Sequence, residues 1–167
     1  FAFLVVRKST RLPNESAKQL ANCLGCSMET NQKTDVHIRW TIRRDMPSIL
    51  GIENACFEHA WSEEEFIQAL RNSNCIGMSS EVETRAGDLF AGFMIYNLHR
   101  NRLELLNFAV SPNYHRRGVG SAMVDKLKSK LSSDRRNTIT VLVRESNLSA
   151  QMFFKSHGFV AVEVLRN

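Results

Sequence analysis

No run of about 18 consecutive apolar residues occurs in this 167-residue chain, so no segment is expected to cross a membrane as a helix. The start, Phe1-Ala2-Phe3-Leu4-Val5-Val6, is apolar but too short for the core of a secretory leader with its cleavage site. An initiator Met is lacking as well, and an incomplete gene start is expected. No Gly-Lys-Ser/Thr follows a glycine turn, which excludes a P-loop. Cysteine is sparse. Cys23 and Cys26 form a CxxC, but no second pair or His cluster stands at zinc spacing, so no metal site is expected. These two read as free thiols in a flexible segment; Cys56 and Cys75 lie in apolar patterns and read as core. That usage fits an intracellular, reducing compartment, and the expected location is cytoplasmic. There are no internal repeats and only two tyrosines, Tyr96 and Tyr114.

What is present fits one globular domain. Hydrophobic residues make up 43% of the chain, an ordinary fraction for a domain with a sizeable core. The net charge of +5 comes from scattered basic residues, not a stripe. Attraction for a polyphosphate is therefore the expected role of the charge, and nucleic acid is not an expected partner.

The strongest local signal is Ser111-Pro112-Asn113-Tyr114-His115-Arg116-Arg117-Gly118-Val119-Gly120-Ser121. It follows an apolar run, Leu103 to Val110, and precedes a helical pattern from Met123 to Leu131. The order is strand, basic glycine turn, helix. Glycine lets a backbone approach a ligand closely. The first amides of a helix have no partner within it, and the helix dipole favours negative charge there. Arg116 and Arg117 add fixed positive charge. The arrangement suits a pyrophosphate. A dinucleotide fingerprint would need a third glycine and an acidic residue closing the next strand. Here that strand, Thr138 to Val143, runs into Arg144-Glu145-Ser146-Asn147.

Along the chain, residues 1–35 read as an N-terminal extension, poorly packed or serving a partner contact, with a short helix over Glu15 to Leu24. The domain is expected over 36–167. His37 to Arg43 alternates and predicts a strand. Asp45 is placed to cap the next helix, with Pro47 in its first turn and Ile49, Ile52 and Cys56 on one face. Ser62 and Glu65 form a capping box, flanked by Trp61 and Phe66 as a hydrophobic staple. Strands are expected over Ile76 to Val82, Leu89 to Leu98, Arg102 to Val110, Thr138 to Arg144 and Phe159 to Leu165, with a turn at Arg85-Ala86-Gly87-Asp88. A helix is expected over Leu148 to His157, stopped by Gly158 in a left-handed conformation.

The constellation resembles the GNAT family of acetyl-CoA-dependent N-acetyltransferases. His115-Arg116-Arg117-Gly118-Val119-Gly120 is similar to its Gln/Arg-x-x-Gly-x-Gly/Ala motif. Asn147, Ala150, Phe153-Phe154 and Gly158-Phe159 follow a second family pattern. The resemblance covers about 37–167, and Ala60-Trp61-Ser62 looks most like the RimI-like branch, which acetylates the N-terminal alanine of a ribosomal protein. It implies an α/β fold, a central mixed and mostly antiparallel sheet flanked by helices. It also implies one further strand after Leu165, which this chain lacks. The result is an open edge covered by the extension, an edge covered by a second subunit, or a truncation. Implied too is a bulge that splays the strand Phe108-Ala109-Val110 from its parallel neighbour, with the pantetheine arm in the gap. The N–H near Val110 then polarises the thioester. Arg116, Arg117, Gly118, Val119, Gly120 and Ser121 hold the pyrophosphate, and Asn147 contacts pantetheine or orients its loop. Trp61 becomes a wall of the acceptor groove as well as a staple.

For acid and base the pattern departs from the RimI-like branch. Leu142 stands where that branch has a Glu, and Phe154 where it has a Tyr acid. Glu104 matches the base of the histone-acetylating members, which acts through a water; its plainer reading is an exposed strand residue, and Glu145 is the second candidate. An α-amine is about a tenth to a fifth neutral at pH 7, against about four parts in ten thousand for a lysine. A weak base therefore favours an N-terminal amine. The expected partners are acetyl-CoA and a protein or peptide N-terminus, a ribosomal protein being the implied one. A small-molecule amine acetyltransferase and an acyl-CoA-binding module with impaired catalysis stay open.

Overall fold

A computed structural model of the chain describes residues 2–9, 35–85 and 87–166. Alternating apolar stretches become strands: β1 (Ala2–Ser9), β2 (Val36–Trp40), β3 (Cys75–Thr84), β4 (Gly87–Leu98), β5 (Arg102–Val110), β6 (Thr138–Arg144) and β7 (Val160–Arg166). Stretches with helical spacing become α1 (Met46–Cys56), α2 (Glu63–Arg71), α3 (Val119–Lys128) and α4 (Leu148–Ser156). The seven strands form one sheet in the order β2-β3-β4-β5-β6-β1-β7. Only β5 and β6 run parallel. This is the expected mixed, mostly antiparallel α/β architecture. Among the described residues no helix is long and apolar enough to cross a membrane.

The central strand β4 is buried on both faces. Met94 and Tyr96 join Leu103, Leu105, Ile139 and Val141 under Val119, Met123, Val124 and Leu127 of α3 and Phe154 of α4. Phe93 and Ile95 face the other way and pack with Ala109 against Ile49 and Ile52 of α1 and Phe66 of α2. Period-2 alternation thus feeds two cores. The capping box at α2 forms on both sides: Glu65 N donates to Ser62 Oγ at 3.3 Å, and Ser62 N donates to Glu65 Oε2 at 2.7 Å. Gly158 has φ +79° and ends α4 as the spacing predicts.

The start of the chain departs from expectation. Residues 2–9 are not an extension beside the domain. They lie within the sheet, antiparallel to both β6 and β7, with Val5 and Val6 buried. The place where a strand was expected to be missing is held by β1, the first of the three ways of closing that edge. The physical reason is backbone pairing: β1 gives β6 and β7 the hydrogen bonds each would otherwise lack. The Cys23–Cys26 pair, the helix over 15–24 and Ala86 lie outside the described residues.

The first expected strand ends early, at Trp40, because Arg43–Asp45 winds into a 3₁₀ turn. Asp45 precedes α1 but makes no side-chain cap bond. Its carboxylate is drawn instead to Arg39, at 2.7 and 2.8 Å, to the Ile42 N–H at 2.9 Å and to the Ser79 hydroxyl at 3.0 Å. Arg39 also bonds Glu81 of β3. This partly buried cluster ties β2, β3 and the entry of α1. Burial alone would raise the Asp45 carboxyl, but Arg39, Ile42 and Ser79 outweigh it and hold it below the ordinary value of 3.8.

Removing Asp45 leaves Arg39 paired with Glu81 alone and deprives the Ile42 N–H and the Ser79 hydroxyl of their acceptor. Asp45→Ala should cost about 1–3 kcal/mol, measured by urea denaturation at neutral pH. The depressed value fixes the sign of the pH dependence. The Asp45 contribution is complete above 3.8 and is lost as pH falls below it through the folded value. The gap between wild type and Asp45→Ala should therefore narrow in acid.

Candidate active site

The parallel pairing of β5 with β6 runs only from Arg102↔Thr138 to Leu105↔Val141. Both strands continue, β5 to Val110 and β6 to Arg144. Beyond Leu105 they diverge. The cause is one extra residue in β5: Tyr96 of β4 faces Leu105, while Ile95 faces Asn107. Leu106 is the bulged residue, and a bulge bends its strand and increases its twist. The bulge also exchanges faces. Leu103 and Leu105 point into the α3 core, but Asn107 and Ala109 point toward α1. On the far side β4 follows β5 closely. A Cβ on Gly92 would stand 2.6 Å from the Ala109 carbonyl oxygen, so only glycine fits there. Ser111 N donates to Ala91 O at 2.8 Å, toward β4. Alternation then turns the Val110 N–H toward the fork.

The turn after β5 closes on the fork. His115 Nε2 lies 2.8 Å from the Val110 carbonyl oxygen. Arg116, at φ +62°, and Gly118, at φ +84°, both take left-handed conformations. Gly118 caps α3, so the amides of Val119, Gly120 and Ser121 begin the helix without intrahelical acceptors. Gly120 is needed for a second reason. A Cβ there would meet the Phe153 ring at 3.2 Å, and its absence lets α3 approach α4. Arg116 and Arg117 are exposed beside this turn, with the Arg117 guanidinium 5.6 Å from the Tyr114 ring centroid. Asn147 caps α4 through its own side chain, Oδ1 accepting from Ala150 N at 3.0 Å. Phe154, at the position expected for a Tyr, is buried among Phe108, Phe153 and Phe159.

On the α1–α2 side, an open groove of about 460 Å³ lies against the bulge. Trp61, Glu65, Gln68 and Asn72 form one wall, Asn97 and Leu106 the other. Trp61 lines this groove, and its ring centroid lies 5.3 Å from that of Phe66, as a staple requires. The Trp61 backbone N–H donates to Glu53 Oε1 at 2.9 Å, and Asn107 Nδ2 donates to both Glu53 oxygens at 3.1 Å. Glu53 is 1% exposed. Burial pushes its carboxyl above the ordinary range, Glu65 adds to that, and the bonds from Trp61 and Asn107 oppose it. Burial and the charge of Glu53 likewise push the Cys56 thiol up; its Sγ lies 3.5 Å from Val110 O.

The structure thus brings Phe108, Ala109, Val110 and the turn from Arg116 to Ser121 to one end of the fork. Glu104 lies at its base, paired with His99 at 2.6 Å. Glu145 is exposed, and its carbonyl accepts from Gln151 at 2.7 Å. Sequence reasoning missed Glu53, Asn107 and His99. One signal was available: Ile49, Ile52, Glu53 and Cys56 stand at helical spacing on one stripe, a carboxylate among apolar residues. Among the described residues no group of three or more His, Cys, Asp or Glu side chains could hold a metal.

A bulged, splayed parallel pair feeding a glycine turn at a helix N-terminus defines an acyl-CoA-dependent transferase fold. The profile of the acetyltransferase (GNAT) family matches residues 43–159, more than half of the chain, and the chain belongs to that family. It is 30% identical over 125 residues to the ribosomal protein bS18-alanine N-acetyltransferase of Salmonella typhimurium, covering 74% of this chain and 80% of that one. The crystal structure of the ribosomal-protein-alanine N-acetyltransferase from Escherichia coli is similar, with a TM-score of 0.67 and 27% identity over 77% of this chain and 80% of that one. Arabidopsis thaliana Naa50 in complex with the bisubstrate analogue CoA-Ac-MVNAL shares the fold, with a TM-score of 0.62 and 15% identity over 77% and 85% of the two chains. The chain is an N-acetyltransferase of this family, whose co-substrate is acetyl-CoA.

The raised Glu53 carboxyl predicts a pH signature. Its folded value lies above the ordinary 4.5, so the folded state holds the extra proton and stability falls as pH rises from 4.5 through the folded value. Gln stays neutral. Glu53→Gln should therefore gain stability relative to wild type as pH rises across that window, followed by urea denaturation at a series of pH values. A difference independent of pH would count against the raised carboxyl.

Proposed function

We propose that the chain acetylates a protein N-terminal α-amine, with the N-terminal alanine of a ribosomal protein as acceptor. The observation that carries this is the position of the fork: it has the α3 amides at one end and an open, Trp61-walled groove against its bulge. An open groove suits a polypeptide end; a closed acidic pocket would suit a small amine. The names of the bacterial relatives support the same acceptor. The reading of an impaired binding module loses one support, since β1 completes the sheet.

Acetyl-CoA, when bound, supplies an activated acetyl carbon and a thiolate leaving group. In this reading the pantetheine arm runs along Phe108, Ala109 and Val110. The Val110 N–H faces the acyl oxygen and stabilises the charge that develops there. The amides of Val119, Gly120 and Ser121 hold the pyrophosphate, with Arg116 and Arg117 adding charge and Gly118 setting the turn. Asn147 fixes the start of α4 and so the loop beside the fork. Trp61 bounds the acceptor. Glu104, through a bridging water, takes the proton that the acceptor nitrogen loses. Phe154 donates nothing, so the thiolate takes its proton from solvent. An ordinary thiol titrates near about 8.5, which makes that leaving group tolerable.

Thiol release from acetyl-CoA should occur with peptides bearing a free N-terminal alanine. The same peptides with a blocked N-terminus and an internal lysine, and polyamines, should be inert. Turnover with polyamines alone would replace this reading with a small-molecule one. Glu104→Gln should slow turnover on the order of a hundred-fold with little change in acetyl-CoA affinity. An unchanged rate across about pH 6 to 9 would remove Glu104 from the mechanism.

A further inference from the structure

Basic residues that are scattered along the sequence are gathered by the fold at one end of the sheet. The β4–β5 turn, His99 to Asn101, lies against the loop that leads from α3 into β6. Arg136 Nε donates to His99 O at 2.8 Å, and Asn137 N donates to Asn101 O at 3.3 Å. Strand register then sets Arg102 opposite Thr138 and Thr140 opposite Arg7. Directly opposed residues share a face, and so do alternate residues of one strand. Arg102 and Arg7 therefore stand on one face, with Arg100 and Arg135 in the two turns at its rim.

Arg7, Arg100, Arg102 and Arg135 are all exposed. Among the described residues, none of the four side chains has a hydrogen bond or an ion pair. The nearby carboxylates are already engaged: Asp125 by Lys128 at 3.1 Å, Asp134 by the Ser133 hydroxyl at 3.1 Å and Glu104 by His99 at 2.6 Å. Lys126 and Lys128 lie in the last turn of α3, where a cation suits the helix dipole. The four arginines have no such role. Nor do they serve the pyrophosphate. Arg102 opens β5, and the glycine turn follows its other end at Val110, on the order of 25 Å away at about 3.3 Å per residue.

Like charges gathered without counter-charges repel one another, and a polyanion relieves that repulsion. A guanidinium fork suits phosphate oxygens, which it bonds bidentately. A stacking platform for single strands needs aromatic rings, and residues 99–102 and 129–137 contain no Phe, Tyr or Trp. A membrane surface needs apolar side chains to insert, and no exposed large apolar residue lies in those stretches. A regular array of phosphates on a duplex asks for neither.

We propose that this end of the molecule binds the phosphate backbone of double-stranded RNA, with Arg7, Arg100, Arg102 and Arg135 as the contacts. The inference rests on the ribosomal-protein acceptor proposed above, because such a protein is held on RNA. Asn97, which lines the acceptor groove, is three residues before Arg100, so groove and surface are neighbours that one partner can reach together. The contacts read phosphates, not bases, and binding weakens with salt.

The test measures binding of a labelled RNA duplex of about 20 base pairs to the full chain, long enough to span such a surface. Acetyl-CoA is kept at saturation so that the glycine turn is occupied. A Kd on the order of 10 µM is expected at about 0.1 M salt, with log K falling against log salt at a slope of about −3 to −4. Arg100→Ala with Arg135→Ala should weaken binding on the order of ten- to a hundred-fold and reduce the slope by about 2. Both residues lie in exposed turns, and unchanged turnover of a peptide with a free N-terminal alanine would show the double variant to be folded. Wild-type affinity for the duplex in that variant would overturn the proposal. So would polyglutamate that binds as tightly as the duplex and is as sensitive to the two substitutions, which would make the partner an acidic protein. Peptide turnover separates the two readings. If the peptide is not acetylated while the double variant loses the duplex, the acceptor reading has failed and the RNA surface stands. If the peptide is acetylated while the double variant binds the duplex like wild type, only the RNA surface has failed.

Discussion

One inserted residue, Leu106, governs the site. Without the bulge, β5 would continue its parallel ladder with β6 and the sheet would present no gap. With it, β5 keeps its bonds to β4, loses those to β6 after Leu105, and exchanges its faces. The exchange sends Asn107 toward α1, where it meets Glu53, and the divergence frees the Val110 edge. Backbone groups left unpaired in this way need a partner. An extended amide-bearing chain can provide one as a strand would, which is why a fork can select a ligand by backbone geometry.

The polar groups around the fork are arranged by sign. The N-terminus of α3, Arg116 and Arg117 stand at the far end of β5. Glu65 lines the groove and Glu104 stands at the base of the fork. In the proposed reading, a polyanion and an amine are therefore guided to different parts of one cleft. Glu53 differs from its neighbours in being sealed from solvent. Its bonds to Trp61 N and Asn107 tie the groove wall to the strand that lines the fork.

Much of this was legible in the sequence. β5, the glycine turn, α3 and β6 are local: each is specified by alternation, by helical spacing or by a glycine between them. The capping box before α2 was legible for the same reason. β1 was not. Its five apolar residues carry no turn or cap signal, and Val5 finds Leu142 and Glu163 only through the tertiary fold. The Asp45 cap failed because the Arg39 guanidinium, six residues earlier on β2, outcompetes a helix end for a carboxylate. Glu53 and Asn107 were invisible as a pair, since nothing in periodicity reports that a helix and a bulged strand will meet. The bulge itself was foreseen only through family resemblance, not from spacing.

The two departures from the relatives' acid and base fit together physically. Phe154 is packed among three other phenylalanines, so that position serves the core. Leu142 shares the face of Thr140 and is 50% exposed, across the fork from the exposed Leu106. With Trp61, these set three apolar side chains beside a groove otherwise lined by Glu65, Gln68, Ala69, Asn72 and Asn97. Such a wall supplies little base strength of its own, so the acceptor's own basicity decides. An α-amine sits near about 8 and is partly neutral at neutral pH, whereas a lysine near about 10.4 is almost wholly charged. In the proposed reading, a site that lacks the usual carboxylate therefore selects N-termini over lysines, which leaves Glu104 to remove only the proton released once the new bond has formed.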